Sequence, residues 1–408
     1  MEIIYGCCCG MDVHKSQITL CLMKGKKKEI KTFGTMTDDL LQMTTWLKSN
    51  NVEMVAMEST ASLWKPVFNI LEIEDIPSIL VNAKDVKNLP GRKTDVKDSE
   101  WIADLLKHGL LKPSFVPKRD DRELKELVRY RKSIIEERAR EYNRMGKVLQ
   151  GANIKLTSVA SSVETKSGLA MIKAIANGEV NAQVLSNMAK GTMKSKKAEL
   201  ERALTGLIQP HQQMMLRSMI SHIENLDNSI TLLDAEIDRR LTDVADVIES
   251  LDEITGVGKK SAEVIISEIG TDMSRFPTEH NLASWAGICP GNNKSADKRK
   301  SGKTRKGNAT LKTTLVQCGR SAANSKNTYL GSQYKRIAAR RGAKRAVVAV
   351  AHSILIICYK MIKNKTKFNE LGSDYFNNQN REQIVKRSIK RIESLGFKVT
   401  VEQLKTTA

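Results

Sequence analysis

The sequence has no CxxC pair. Its seven cysteines, Cys7, Cys8, Cys9, Cys21, Cys289, Cys318 and Cys358, are odd in number, which argues against a zinc site or a disulfide framework. The triplet Cys7-Cys8-Cys9 lies in the apolar stretch Ile3 to Met11 and reads as buried strand thiols, a usage suited to a reducing cytoplasm. The N-terminus lacks a basic region followed by an apolar signal core, and no apolar run is expected to reach the roughly 18 residues that span a bilayer. The expectation is a cytoplasmic chain with no membrane partner. Acid is also in short supply: 46 Asp and Glu face 67 Lys and Arg, a net charge of +21 over 408 residues. That excess favours a polyanionic partner over a neutral small molecule, with nucleic acid the default candidate. The length exceeds one ordinary core and predicts about two or three domains.

What is present begins with short strand patterns. Ile3 to Cys9, Ser16 to Met23 and Glu29 to Gly34 read as three strands joined by tight polar connections. Thr37 to Ser49 carries apolar residues at helical spacing, Val52 to Met57 is strand-like, Ser62 to Ile73 helical and Ile79 to Val81 a short strand. The order β-β-β-α-β-α-β followed by a helix is that of ribonuclease H-like nuclease domains. From Arg119 to about Gln150 the chain turns charged and helical. A second helix shows Leu216, Met219, Ile223, Leu226, Ile230, Leu233 and Ile237 in the three-four alternation of a coiled-coil seam. An intramolecular antiparallel hairpin gives the same pattern. Pro210 sets the start of this helix, and Gly151 to Lys197 reads as a small helical insert.

Four carboxylates stand at element ends. Asp12 ends the first strand in Gly10-Met11-Asp12-Val13-His14-Lys15, and Glu58 ends the fourth in Met57-Glu58-Ser59-Thr60. Asp95 and Asp98 are three apart at the start of an amphipathic helix, a spacing that puts both on one face. Four converging like charges repel unless cations lie between them. Paired Mg²⁺ (or Mn²⁺) ions remove that repulsion and can clamp the attacking and leaving oxygens of a phosphodiester. His14 is taken as structural and left out of the catalytic set.

The C-terminal third is basic. Ile254-Thr255-Gly256-Val257-Gly258-Lys259-Lys260 opening a helix resembles a helix-hairpin-helix, whose turn amides can hold a phosphate beside Lys259 and Lys260. Between Gly291 and Arg320 stand Lys294, Lys298, Arg299, Lys300, Lys303, Arg305, Lys306, Lys312 and Arg320 against the single acid Asp297. A second cluster runs from Lys335 to Arg345 and leads into the apolar Ala346 to Met361. The pattern predicts a folded basic surface that contacts a phosphate backbone.

GMDVHK, AMEST and KTDVKDSEWIADLL together with the distal ITGVGKKSAEVIISEIGTDMSRFPTEHNLASWAGICPG and SADKRKSGKTRKGNATLKTTLVQCGRSA closely resemble the DEDD transposases of insertion-sequence family 110, from about Met1 to Lys363. The resemblance implies a RuvC-like domain over residues 1–117, a helical coiled-coil connector over 118–249, a mainly helical transposase domain over 250–365 and an extension over 366–408. It implies a dimer or tetramer acting on donor and target DNA, guided by a structured RNA from its own element. The matching acids are Asp12, Glu58, Asp95 and Asp98. The family's serine nucleophile lies five residues after the proline of its AGxxP segment, which from Pro290 is Ser295. Family members commonly have glycine after that serine. This chain has Ala296, and Ser301, followed by Gly302, is the competing position. By the same resemblance, the serine of one subunit would meet the acids of another and form a 5′-phosphoserine link.

Two other readings compete. In a metal-only, RuvC-like structure-specific endonuclease, water is the nucleophile and Ser295 is dispensable. In a non-catalytic nucleic-acid-binding protein on a decayed nuclease fold, one of the four acids would be missing, and none is.

Overall fold

A computed structural model of the chain describes residues 2–59, 62–82, 95–290, 293–295, 298–301, 303–379 and 381–401; the side chains of 95–97, 293–295, 298–301 and 384 lie outside that description. The chain divides into two units, Met1–Lys118 and Arg119–Ala408.

In the first unit β1 (Cys7–Val13), β2 (Gln17–Lys24), β3 (Lys27–Gly34), β4 (Met54–Glu58) and β5 (Ser78–Val81) form one sheet in the order β3-β2-β1-β4-β5. β1 to β3 are antiparallel, and β1, β4 and β5 are parallel. The central strand β1 is covered on both faces, which explains why Cys7-Cys8-Cys9 carries no polar alternation. Cys9, Met11 and Val13 join Val55 and Met57 in a core under α1 (Thr37–Ser49) and α2 (Trp64–Ile73). Cys8 and Ala56 pack on the opposite face with Ile102 and Leu106 of α3 (Asp95–Lys107). Burial pushes the Cys8 thiol up to about 12 and the Cys21 thiol to about 11, so both stay protonated fillers. The exposed edge β3 carries Lys27, Lys28 and Lys31, a charge pattern that discourages further strand pairing.

The first strand starts later than expected. Ile3 and Ile4 are exposed, and Ile4 N–H donates to the Lys107 carbonyl at the end of α3 instead of joining the sheet.

The second unit opens with α4 (Arg119–Gly151), followed by the short helices α5 (Leu156–Val159), α6 (Lys166–Ala176), α7 (Ala182–Asn187) and α8 (Lys197–Leu204), and then α9 (Pro210–Arg240). Proline at the first position of α9 fits because no helical N–H bond is needed there. Glu123 meets Arg240, Arg131 meets Asp234 and Arg138 meets Asp227. Partner numbers fall along α9 as they rise along α4, so the two helices form an antiparallel hairpin within the chain. The insert between them packs Met171, Ile172 and Leu200 into one core with Tyr142, Met145 and Leu149 of α4 and Leu216 and Ile223 of α9.

After α10 (Ala245–Asp252) and a turn come α11 (Lys259–Ile269), α12 (Glu279–Trp285), the strands β6 (Asn293–Ser295) and β7 (Lys298–Ser301), then α13 (Ala309–Asn324), α14 (Tyr329–Arg341), α15 (Ala343–Asn364), α16 (Tyr375–Gln379) and α17 (Arg381–Glu393). One expectation is corrected here: Ala343–Asn364 is long and apolar enough to cross a membrane by length and composition alone. Its apolarity has a packing cause. Ala346, Val350, Ala351, Ile354, Leu355 and Cys358 are buried, and α15 packs against α13 and α14 as the central helix of this region.

Candidate active site

Side chains alternate across a strand, so Asp12 shares the α3 face of the sheet with Cys8 and Gly10, and Glu58 shares it with Ala56. The register Met11↔Met57 sets the ends of β1 and β4 side by side. α3 runs antiparallel to β1: Lys107 lies beside Ile4, the Cys8 thiol donates to the Ala103 carbonyl, and Gly10 touches Ser99 and Ala103. A Cβ on Gly10 would lie 2.3 Å from the Ser99 carbonyl oxygen and 2.4 Å from Ala103 N, so only glycine lets the helix sit this close. Continuing along both elements, at about 1.5 Å per helical residue and 3.3 Å per strand residue, the first turn of α3 reaches the edge that holds Asp12 and Glu58. Asp98 is half-buried in that turn. Asp95 is the first residue of the helix, and its side chain lies outside the described residues. Among the described residues, no three of His, Cys, Asp and Glu form a closed ligand group.

His14, set aside on sequence grounds, touches this edge: its Nε2 lies 3.1 Å from Asp12 Oδ2. The signal was the two-residue spacing at a strand end, where the chain leaves the sheet and the side chain can turn back.

In the second unit Ser295 is the last residue of β6 and pairs with Lys298, the first of β7; Ser301 pairs with Asn293 at the opposite end of the ladder. The side chains of Lys294, Ser295, Lys298, Arg299, Lys300 and Ser301 lie outside the described residues, as do Ala296 and Gly302 altogether. Pro290 bridges Thr304 beneath the hairpin. Below that, Gly287 and Gly307 cross so closely that a Cβ on Gly307 would lie 2.4 Å from Gly287 N. The crossing closes the base and fixes where the two strands emerge.

Asn308 follows that crossing. It caps α13 through Leu311 N–H and donates to Glu268 Oε2 at 2.6 Å. The Glu268 side chain is wholly buried and also takes Arg129 at 2.6 Å and Lys125 at 3.4 Å from α4. Burial pushes its carboxyl up, but the Arg129 bond, the Lys125 charge and the Asn308 amide outweigh that, and the net shift is downward. Burial also lowers the Lys125 ammonium, and Glu268 restores part of it. Sequence reasoning missed Glu268 because an acid on an otherwise apolar helix gives no hint of partners so distant in the chain.

Lys259 and Lys260 open α11, and both are engaged within the chain: Lys259 Nζ with Asp238 at 3.2 Å, and Lys260 Nζ with Asp234 at 2.7 Å. Lys303, Arg305 and Lys306 are exposed on the segment leading away from β7.

Residues 9–154 match the DEDD transposase model for IS110 elements, described as a transposase. Residues 248–335 match the model described as transposase, IS116/IS110/IS902 family. The chain belongs to the IS110 family of transposases. Membership implies the cutting and rejoining of DNA strands, with DNA as a substrate. The first match spans Asp12, Glu58, Asp95 and Asp98, and the second spans Ser295 and the basic hairpin. Among curated proteins nothing matches the chain. Neither family match covers the helical insert or the region from Gln209 to Arg240 that holds α9.

Proposed function

We propose that this transposase is a recombinase of an insertion sequence in which Ser295 attacks DNA phosphorus and the carboxylates Asp12, Glu58, Asp95 and Asp98 of a RuvC-like domain hold divalent metal. The observation that carries the reading is the antiparallel seat of α3 on β1, which brings the first turn of that helix to the sheet edge bearing Asp12 and Glu58. All four groups are hard oxygen donors, a set suited to Mg²⁺ or Mn²⁺ and poorly matched to thiophilic metals. Held by these carboxylates, such ions would supply Lewis acidity and charge neutralisation at the reacting phosphate.

The chain's own residues supply the rest. The Ser295 hydroxyl loses its proton and attacks phosphorus, the P–O3′ bond breaks, and a 5′-phosphoserine forms while the 3′ oxygen leaves as a hydroxyl. The phosphodiester energy is kept in the new ester, so a second 3′ hydroxyl can reverse the step on another strand. Lys294, Lys298, Arg299 and Lys300 flank the serine on its two strands, where cations hold a phosphate and stabilise the charge that develops on it. Lys303, Arg305 and Lys306 extend the basic track, and Lys259 and Lys260 join it by exchanging Asp238 and Asp234 for phosphate. The helix-turn-helix formed by α10 and α11 acts as a helix-hairpin-helix, the protein works as a dimer or tetramer, and a structured guide RNA supplies the base pairing. If an RNA reads the sequence, the protein's own contacts need only read backbone and shape.

Strand cleavage and recombination measured with Mg²⁺, with Mn²⁺ and with excess chelator test this. Asp12→Ala and Asp98→Asn are expected to abolish strand cleavage with circular dichroism unchanged. Full recombination in chelator would sink the proposal.

A further inference from the structure

At the base of the hairpin lies a cavity of about 950 Å³ that the nucleophile and metal roles leave unused. Its volume is at the upper end of pockets that hold small-molecule-sized ligands, about 300–1,000 Å³. Its apolar wall comes from Ile288 and Pro290 ahead of β6 and from Val348 and Ala349 of α15. Its cations are Lys303, just past β7, and Lys344 and Arg345 from the first turn of α15. None of the described lining residues is acidic, and among the described residues Lys344 and Arg345 have no acid partner.

The wall also carries a polar edge. Gln333 Nε2 donates to Ser353 Oγ at 2.8 Å, while Gln333 Oε1 is buried with no hydrogen-bond partner among the described residues. His352 stands beside Ser353 with its pKa pulled down by burial and by His280, so it offers a neutral imidazole near pH 7. An apolar face with cations at its rim and no acid among its described lining residues suits a flat ring joined to phosphate.

From this arrangement we infer that the cavity receives an unpaired nucleobase of a nucleic-acid strand, stacked against Val348 and Ala349, with Lys303, Lys344 and Arg345 on the neighbouring phosphates. The inference rests on the proposed function and goes further by giving the hairpin a receptor beside the cutting position, roomy enough for a base together with its sugar and flanking phosphates. Unstacked bases bind in this way, with aromatic or apolar groups against the ring and basic side chains along the backbone.

The test is fluorescence anisotropy of the full chain with a labelled single-stranded 20-mer and with an abasic strand of equal length and charge, in DNA and RNA series. The wild type is expected to bind the abasic strand about tenfold more weakly in at least one series, and that series identifies which strand supplies the base. Ala349→Trp covers the Val348–Ala349 wall and should erase the difference while keeping the affinity for the abasic strand. Val348→Ser removes apolar wall without adding bulk, and it serves if the tryptophan variant does not fold. Equal binding of both strands by the wild type, or discrimination that survives in a folded variant, overturns the inference. Failure of the wild type to bind any strand overturns the proposed function along with it.

Discussion

Gly10 shows how much a single residue decides in this molecule. Its missing Cβ lets α3 sit on β1, and the same contact sets the first turn of α3 at the edge with Asp12. Gly10→Val forces carbon against the Ser99 carbonyl and the Ala103 amide, an overpacking that costs about 1–3 kcal/mol. Thermal unfolding should fall accordingly, and strand cleavage should fall further than stability because the carboxylates separate. An unchanged melting temperature would mean that the helix does not rest there. Asp12 and Glu58 were legible in the sequence because acids closing apolar strands stand out against their neighbours. Gly10 was not, since its partner lies some ninety residues away and close approach leaves no mark on the local pattern. The cysteines were legible as strand filler for the same reason as the acids: an apolar run without turn residues has few other fates.

At the level of elements, the hairpin of α4 and α9 is tied to α11 by buried charge. Arg131, with 2% of its side chain exposed, meets Glu263, which is fully buried, at 2.6 Å and Asp234 at 2.8 Å. Arg131→Met leaves Glu263 without this partner in the interior and should destabilise by about 3–5 kcal/mol, read from chemical denaturation. Adding Glu263→Leu should recover much of that loss, whereas an equal or larger loss in the double variant would show that packing and not charge was at stake. Glu268 makes a prediction in pH. Its folded pKa is lowered, so its stabilising contribution is complete above the ordinary glutamate value of about 4.3 and is lost as pH falls through the lower folded value. Glu268→Gln should flatten the acid limb of stability in that window, and an unaltered acid limb would contradict the role. The seam of α9 was legible by period. Its partner was not, because an apolar stripe does not say whether the matching helix belongs to the same chain. β6 and β7 were illegible for a different reason: Asn-Lys-Ser and Lys-Arg-Lys-Ser have no apolar face, so the hairpin is held by the glycine crossing beneath it.

Over the whole molecule, the charge of +21 pointed to nucleic acid before any motif did, and the strand and helix patterns of the first unit carried its order of elements. The membrane-length helix Ala343–Asn364 shows where composition misleads, since burial on several sides produces the same apolar run as a bilayer. Neutralising Lys298, Arg299 and Lys300 together should weaken nucleic-acid binding across sequences and lower the salt slope by about 0.7–0.9 for each lost phosphate contact. A slope equal to that of the wild type would place those side chains in solvent.

The central claim, that a serine of this transposase carries the DNA, is tested most directly by trapping the covalent intermediate. Labelled substrate stalled before strand exchange, incubated with the protein and the proposed guide RNA and run on a denaturing gel, should show label migrating with protein, and peptide mapping should place the bond on Ser295. Ser295→Ala should lose both adduct and recombination while keeping DNA affinity, and Ser301→Ala should keep all three. Cleavage by the Ser295→Ala protein at the normal rate, with no adduct in the wild type, would contradict the account and leave water as the nucleophile; an adduct mapped to Ser301 would move the role to the other end of the hairpin.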